Sequence, residues 1–262
     1  MKRLPEQRHH RASSDGGRPK ERTIYGINPV TEALKAGRRI LDVKVAAGKH
    51  GPELKQLVHL LRQKNVPVAE VDRHAIATMA DSRSHQGVAA RVEALSNGSL
   101  TGLVHDRPTG PITVLVLDHL QDPQNLGAIF RAADAFGVDL VFLPAHDAAS
   151  HQLGSVAKAS AGAVEHVAAV VVADLRTPLA ELKKHGFAVV GMEAEASDPA
   201  AGALDSPRLA LVLGSEGPGI SKAIRGSCDR LVKIPTSGKV GSLNAGMACG
   251  IVLYERYAAL KA

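Results

Sequence analysis

The sequence predicts an α/β protein in which a parallel sheet covered by helices follows a smaller α/β unit. Three observations carry that expectation. Six apolar runs, at 112–117, 140–143, 166–172, 187–190, 208–213 and 230–234, are nearly continuous rather than alternating, as in strands buried on both faces. Helix-length segments at 126–136, 175–185, 221–227 and from 242 to about 260 lie between or after them. Residues 96–111 are rich in Ser, Asn, Gly, Thr and Pro without a period, which reads as a linker between the two units.

Four segments follow from this reading: a tail over 1–22, a small α/β domain over 23–95, the linker over 96–111 and the larger domain over 112–262. The tail carries seven of the basic residues against three acidic ones, a surplus of four within a net charge of +6. It is poor in apolar residues and should be disordered, serving either as an electrostatic arm for nucleic acid or as a solvated end. In the small domain, residues 43–45, 66–71 and 87–92 read as strands. Leu54, Leu57, Val58 and Leu61 repeat at the i, i+3, i+4, i+7 spacing of an amphipathic helix over 53–63. No cluster there has catalytic chemistry, so binding is its expected task.

Composition excludes several classes. Aromatic residues make up 3% of 262 and Trp is absent, which removes the stacking platforms of single-strand binders. No apolar run reaches the roughly 20 residues that span a bilayer, and the polar start lacks a signal-peptide pattern, so no membrane role is expected. Cys228 and Cys249 are far apart, without CxxC spacing, which fits a reducing cytoplasm. Among the twelve histidines no pattern suggests a metal site.

The chemistry concentrates in three stretches, 125–131, 214–219 and 237–244, each following a strand candidate. In open parallel sheets the loops at the carboxyl ends of strands form ligand sites. In the first, Pro123 favours a turn and Asn125 is placed to cap the following helix. Arg131 projects about 140° from the apolar stripe, with Gly127 one turn before it leaving room for a large anionic partner such as a phosphate. In the second, three glycines allow close backbone approach and hold Glu216 inside a turn where a carboxylate has no packing reason to be. This turn lacks both the Lys-Ser/Thr ending of a phosphate loop and the dinucleotide glycine pattern. In the third, Ser242 is a natural N-cap, and Asn244 is a polar amide at the head of an apolar helix, where it needs partners. Taken singly, these residues read equally as a cap, a solvated charge and a helix-start carboxylate.

The closing helix is apolar around its whole circumference. Leu243, Met247 and Tyr254 lie on one side, and Ala245, Ala248, Cys249 and Val252 on the other. Such a helix is covered on every side, either within one chain or by a second subunit.

Together the runs DPQNLGAIFRAADAFG, LVLGSEGPGIS and IPTSGKVGSLNAGMACGIVLYE resemble the three signature motifs of the SpoU-type RNA ribose 2′-O-methyltransferases, of the SPOUT superfamily. The resemblance covers essentially all of 112–260. YGINPVTEAL and QGVAARV resemble the ribosomal-protein-like RNA-binding domain that many of these enzymes carry, and the arrangement is most similar to the branch that methylates a guanosine of 23S rRNA. The resemblance implies S-adenosyl-L-methionine as cofactor, a homodimer, and a C-terminal trefoil knot, which periodicity alone does not predict. It places substrate and catalytic roles on Asn125, Arg131, Glu216, Ser242 and Asn244, and backbone contacts to the cofactor on Gly214, Ile234 and Leu243. Thr236 and Ser237 stand where relatives often have Met and a small residue, and Ala245-Gly246 replaces a common Val-Ser pair, which removes a hydroxyl near Asn244.

The expected reaction is attack of a ribose 2′-hydroxyl on a sulfonium methyl. The family proposal makes Arg131 the base. A guanidinium stays protonated, so a phosphate clamp that also stabilises oxyanion charge is the physical reading of Arg131. Glu216, a phosphate oxygen or water would then receive the proton, and Asn125, Ser242 and Asn244 orient the substrate. The alternatives are a tRNA or a resistance-type rRNA site, or a catalytically silent RNA-binding ribosome-assembly factor. A nicotinamide oxidoreductase is disfavoured because the first turn lacks its glycines.

Overall fold

Strands in the front unit are short and β-branched, and the helix between two of them sets their direction. The computed structural model describes residues 21–238 and 243–261. The chain runs through β1 (Glu21–Tyr25), α1 (Ile27–Lys35), β2 (Ile40–Ala46), α2 (Pro52–Gln63), β3 (Val68–Val71), α3 (Arg73–Ala80) and β4 (Val88–Glu93). These strands form a sheet in the order β1-β4-β2-β3. β4 is antiparallel to both β1 and β2, while the α2 crossover makes β2 and β3 parallel. The predicted stripe Leu54, Leu57, Val58 and Leu61 is the buried face of α2.

Two expectations need correction here. β1 begins at Glu21, so the tail expected over 1–22 does not extend to 22, and Arg22 is a buried strand residue opposite Val92. Residues 1–20 lie outside the described residues. The stretch expected as a structureless linker contains α4 (Leu100–Asp106), capped by the Ser99 hydroxyl, which accepts from Gly102 N at 3.0 Å. Leu100, Leu103 and Val104 pack against the second core, so burial on the larger domain decides a helix that its composition argues against.

The larger unit continues with β5 (Ile112–Leu117), α5 (Pro123–Ala135), β6 (Leu140–Pro144), α6 (Gly154–Ala159), a 3₁₀ turn (Ala163–Glu165), β7 (Ala169–Val172), α7 (Arg176–Lys184) and β8 (Ala188–Met192). β9 (Asp198–Pro199), β10 (Arg208–Leu213), α8 (Lys222–Arg225), β11 (Arg230–Lys233) and α9 (Ala245–Ala259) complete it. The sheet order is β7-β6-β5-β10-β8-β11-β9 with every pair parallel. All six residues of β5 are buried, Thr113 among them, as its nearly continuous apolar run requires. The strand expected over 166–172 begins only at Ala169, because the 3₁₀ turn precedes it.

β5 and β10 are neighbours, with Leu117 in register with Leu213. The loops leaving them therefore start side by side, although about a hundred residues separate them in sequence. α9 returns to pack along α5 through Ala245, Cys249, Val252 and Leu253. This brings the third stretch to the same edge.

The two units are docked rather than loosely joined. Glu165 is buried and pairs with Arg22 of β1 and with Arg38 at 3.3 Å. A Cβ on Gly154 would lie 2.5 Å from the Thr23 carbonyl oxygen, so α6 needs a glycine to approach β1. Ile24 and Val30 belong to one hydrophobic core with Phe130, Val156 and Ala157.

Candidate functional site

The site is a carboxylate on one loop that accepts from amides on two other segments of the chain. α5 starts at Pro123 and is capped by Asp122, whose Oδ1 accepts from Gln124 N at 3.0 Å. Asn125 is therefore not the cap. It lies in the first turn of α5, buried to 7% exposure, and its side chain is free for other partners. Asn125 Nδ2 donates to Glu216 Oε1 at 3.0 Å.

Glu216 sits in a turn closed on itself, where Gly219 N donates to Ser215 O at 3.0 Å. Gly217 and Gly219 have φ of 91° and 70°, a region that favours glycine. A Cβ on Gly214 would lie 2.1 Å from the Gly219 carbonyl carbon, so no side chain fits where the two ends of the turn cross. Glu216 Oε1 collects three donors: Asn125 Nδ2, Asn244 Nδ2 at 2.8 Å and Ala245 N at 3.4 Å. Oε2 makes no hydrogen bond with a described residue and stays open as an acceptor.

Asn244, not Ser242, is the N-cap of α9. Its Oδ1 accepts from Gly246 N and Met247 N at 3.0 and 3.2 Å. Nδ2 spends its two protons on Asn125 Oδ1, at 2.7 Å, and on Glu216. Ser242 lies outside the described residues. The missing hydroxyl at Gly246 has a steric reason, since a Cβ there would come within 2.7 Å of Ala128 Cβ.

Arg131 is exposed, two turns along α5 from Asn125, and makes no hydrogen bond or ion pair with a described residue. Gly127 does not open space beside it for a ligand. A Cβ there would be 2.3 Å from Ala159 Cβ, so this glycine lets α6 pack against α5. Ile234 and Leu243 are half-buried, Ile234 against the main core. Of the eight expected residues, the structure joins Asn125, Glu216 and Asn244 directly. Gly214 lies in the same turn as Glu216, and Leu243 precedes Asn244.

Two further residues escaped the sequence reading. Asp118 is 1% exposed at the end of β5. One of its oxygens pairs with His119 Nδ1, and the other accepts from Ser221 N at 2.7 Å. His119 has φ of 56°, uncommon without a glycine and found where surroundings over-determine the backbone. Both line a cavity of about 540 Å³ together with Gln121, Asn125, Glu216 and Pro218. The available signal was a carboxylate directly after the apolar run 114–117, a place where a buried charge needs partners.

Among the described residues no group of three His, Cys, Asp or Glu side chains could hold a metal ion. Among the described residues no helix is long and apolar enough to cross a membrane. Cys228 and Cys249 are free thiols, with burial pushing the Cys249 thiol up to about 12.

A small α/β domain docked on a parallel sheet, with amides and a carboxylate converging at the carboxyl edge, defines a two-domain enzyme of the α/β class. The chain belongs to the SpoU rRNA methylase family, whose model matches residues 112–254. The model for RNA 2′-O ribose methyltransferase substrate binding matches residues 23–98. A TrmH family tRNA/rRNA methyltransferase of Staphylococcus haemolyticus is 37% identical over 237 residues, covering 89% of this chain and 94% of that protein. The similarly described YacO of Bacillus subtilis is 36% identical with the same coverage. Among solved structures, the SpoU methyltransferase AviRb of Streptomyces viridochromogenes, in complex with AdoMet, superposes with a TM-score of 0.75. It is 22% identical, and the match covers 91% of this chain and 90% of that one. An AdoMet-bound rRNA methyltransferase from Sinorhizobium meliloti gives 0.74 at 24% identity, covering 90% and 87%. The protein is an RNA methyltransferase with the SPOUT fold.

Proposed function

We propose that this enzyme methylates a ribose 2′-hydroxyl of ribosomal RNA, with a guanosine of 23S rRNA as the substrate and S-adenosylmethionine as the methyl donor. The observation that carries the reading is the convergence of Asn125, Glu216 and Asn244 from three loops on one oxygen. The printed names of the relatives, which include tRNA, support tRNA as a second substrate class.

The residues fit the cofactor. At Gly214 the turn's own backbone at Gly219 and Ile220 excludes a side chain, so the loop leaving β10 offers main-chain groups to a ligand there. Half-buried Ile234 and Leu243 add apolar edges. When bound, S-adenosylmethionine supplies an electrophilic methyl group on a sulfonium. The protein's own part is to orient the ribose and to manage a proton. Asn125 and Asn244 hold Glu216 by one oxygen, leaving Oε2 to accept the 2′-hydroxyl hydrogen as the oxygen becomes nucleophilic. Arg131, exposed and without a partner among the described residues, clamps the neighbouring phosphate. Ser242 completes the substrate-orienting set.

A homodimer and a C-terminal trefoil knot belong to the same proposal. The outer face of α9 exposes Met247, Ile251, Tyr254 and Tyr257, with Met247 and Tyr254 at 58% and 60%. A contiguous apolar face on a helix already buried on its other side fits a second copy. The return of α9 to α5 supports the knot. The free thiols fit the cytoplasm.

The test is methyl transfer from labelled S-adenosylmethionine to unmodified rRNA and tRNA transcripts, with mapping of 2′-O-methyl groups. Incorporation at one rRNA nucleotide, lost in Arg131→Ala, is expected. No incorporation into either RNA by a protein that binds the cofactor would sink the reading.

A further inference from the structure

The front domain holds a second cavity, of about 300 Å³, lined by Lys49, His50 and Arg73 with Gln86, Gly87 and the start of α2. Lys49 and Arg73 are exposed and His50 is half-buried. None of the three makes a hydrogen bond or ion pair with a described residue. The hollow gathers three basic side chains, none of them paired with a carboxylate among the described residues, whereas Arg91, Arg107, Arg176 and Lys184 elsewhere on the surface are so paired. The opposing charge in the lining is Glu53.

The wall of this hollow is tied to the catalytic domain. Gln86 Oε1 accepts from Ile27 N at 3.2 Å and also from Lys158 Nζ of α6. α6 lies against α5 at Gly127, one residue past Leu126 and two past Asn125. The hollow is therefore held in fixed register with the amide–carboxylate cluster through one side chain and one helix.

We propose that this hollow is a phosphate-binding subsite that grips the RNA backbone away from the reacting ribose. The proposal rests on the RNA-methyltransferase reading for its ligand. Lys49 and Arg73 neutralise a backbone phosphate, His50 donates from the side, and the Gln86–Lys158 contact sets the distance between grip and reaction. Phosphate contacts fix register without reading sequence, the task expected of a docked substrate domain.

The full-length protein is titrated with a fluorescent unmodified rRNA transcript, comparing Lys49→Gln/Arg73→Gln with the charge-matched pair Lys55→Gln/Arg62→Gln on the exposed face of α2. The pocket pair should weaken binding about tenfold at about 0.1 M salt and lower the slope of log affinity against log salt by about 1.4, as for two contacts to single-stranded RNA. KM for RNA should rise with kcat and cofactor affinity unchanged, and Glu53→Gln should tighten binding. The control pair should leave affinity and slope near wild type. Equal losses in both pairs, or an unchanged slope in the pocket pair, would overturn the subsite. Failure of the wild-type protein to bind S-adenosylmethionine or to methylate any RNA would instead defeat the functional reading, and the salt slope reports on the hollow in either case.

Discussion

Asn244 donates to Asn125 Oδ1 at 2.7 Å across 119 residues of chain, and both amides also reach Glu216 Oε1. One amide caps α9 while the other lies buried in the first turn of α5. The pair thereby couples the position of the carboxylate to the packing of two helices. Rigid neighbours of this kind hold a reacting group with little further ordering on binding.

Glu216→Gln keeps a carbonyl to meet the same donors but removes the charge. Hydrogen bonds to charged groups contribute about 1.5–3 kcal/mol, so methyl transfer should fall by about 10- to 100-fold. Single-turnover assays beside calorimetric titration of the cofactor check this. Wild-type turnover would remove the carboxylate from the mechanism.

Glu165→Gln should destabilise the protein by about 3–5 kcal/mol, because it strips the buried partner from two guanidinium groups. Arg22 is nearly enclosed. Burial pulls its pKa down and the Glu165 charge works against that pull. Urea unfolding measures the loss, and limited proteolysis near 96–100 should accelerate as the two units separate.

His151 is 2% exposed and stacked on Phe130 at 6.3 Å. Burial, and then the charge of Arg22, push its pKa down to about 4. In the unfolded chain a histidine titrates near 6.5. Between about pH 6.5 and about 4 the unfolded chain binds a proton that the folded one refuses, so stability is full above that window and falls as pH drops through it. The total is about 3 kcal/mol at 1.36 kcal/mol per unit. His85, lowered by burial and then by Arg73, adds in the same direction. Unfolding free energy measured from about pH 7 to about pH 5 should fall less steeply in His151→Asn than in wild type. Parallel curves would refute the assignment.

Replacing both Met247 and Tyr254 by Asp places charge on the outer face of α9, at the cost of the edge contact between Tyr254 and Phe136 at the end of α5. Each large apolar side chain buried at an interface contributes about 1.5–3 kcal/mol, so association should weaken by at least about 100-fold. Sedimentation velocity should show a monomer at concentrations where the wild type is dimeric. A wild-type protein that sediments as a monomer would end the dimer proposal.

Much of the α/β order was legible because it depends on local patterns. The nearly continuous apolar run of β5 and the stripe of α2 are consequences of burial on two faces or one, and periodicity records that directly. Glu216 and Asn244 stood out because each lay where packing gave it no reason to be, whereas Asn125 read as an ordinary helix cap. α4 was not, since its helix rests on contact with the second core rather than on its own composition. Arg22 read as part of a solvated tail because its partner lies 143 residues away.

The sequence by itself determined the strand and helix alternation, the glycines that shape the turn around Glu216, and the motifs that carry the family resemblance. Only the tertiary structure decided their roles. It made Asp122 and Asn244 the caps, turned Asn125 inward, gave Gly127 to helix packing and set Asp118 and His119 in the cavity wall. The physical reason is that capping and packing compete for the same polar side chains. Which one wins depends on β5 and β10 lying side by side, a long-range pairing that no local pattern encodes.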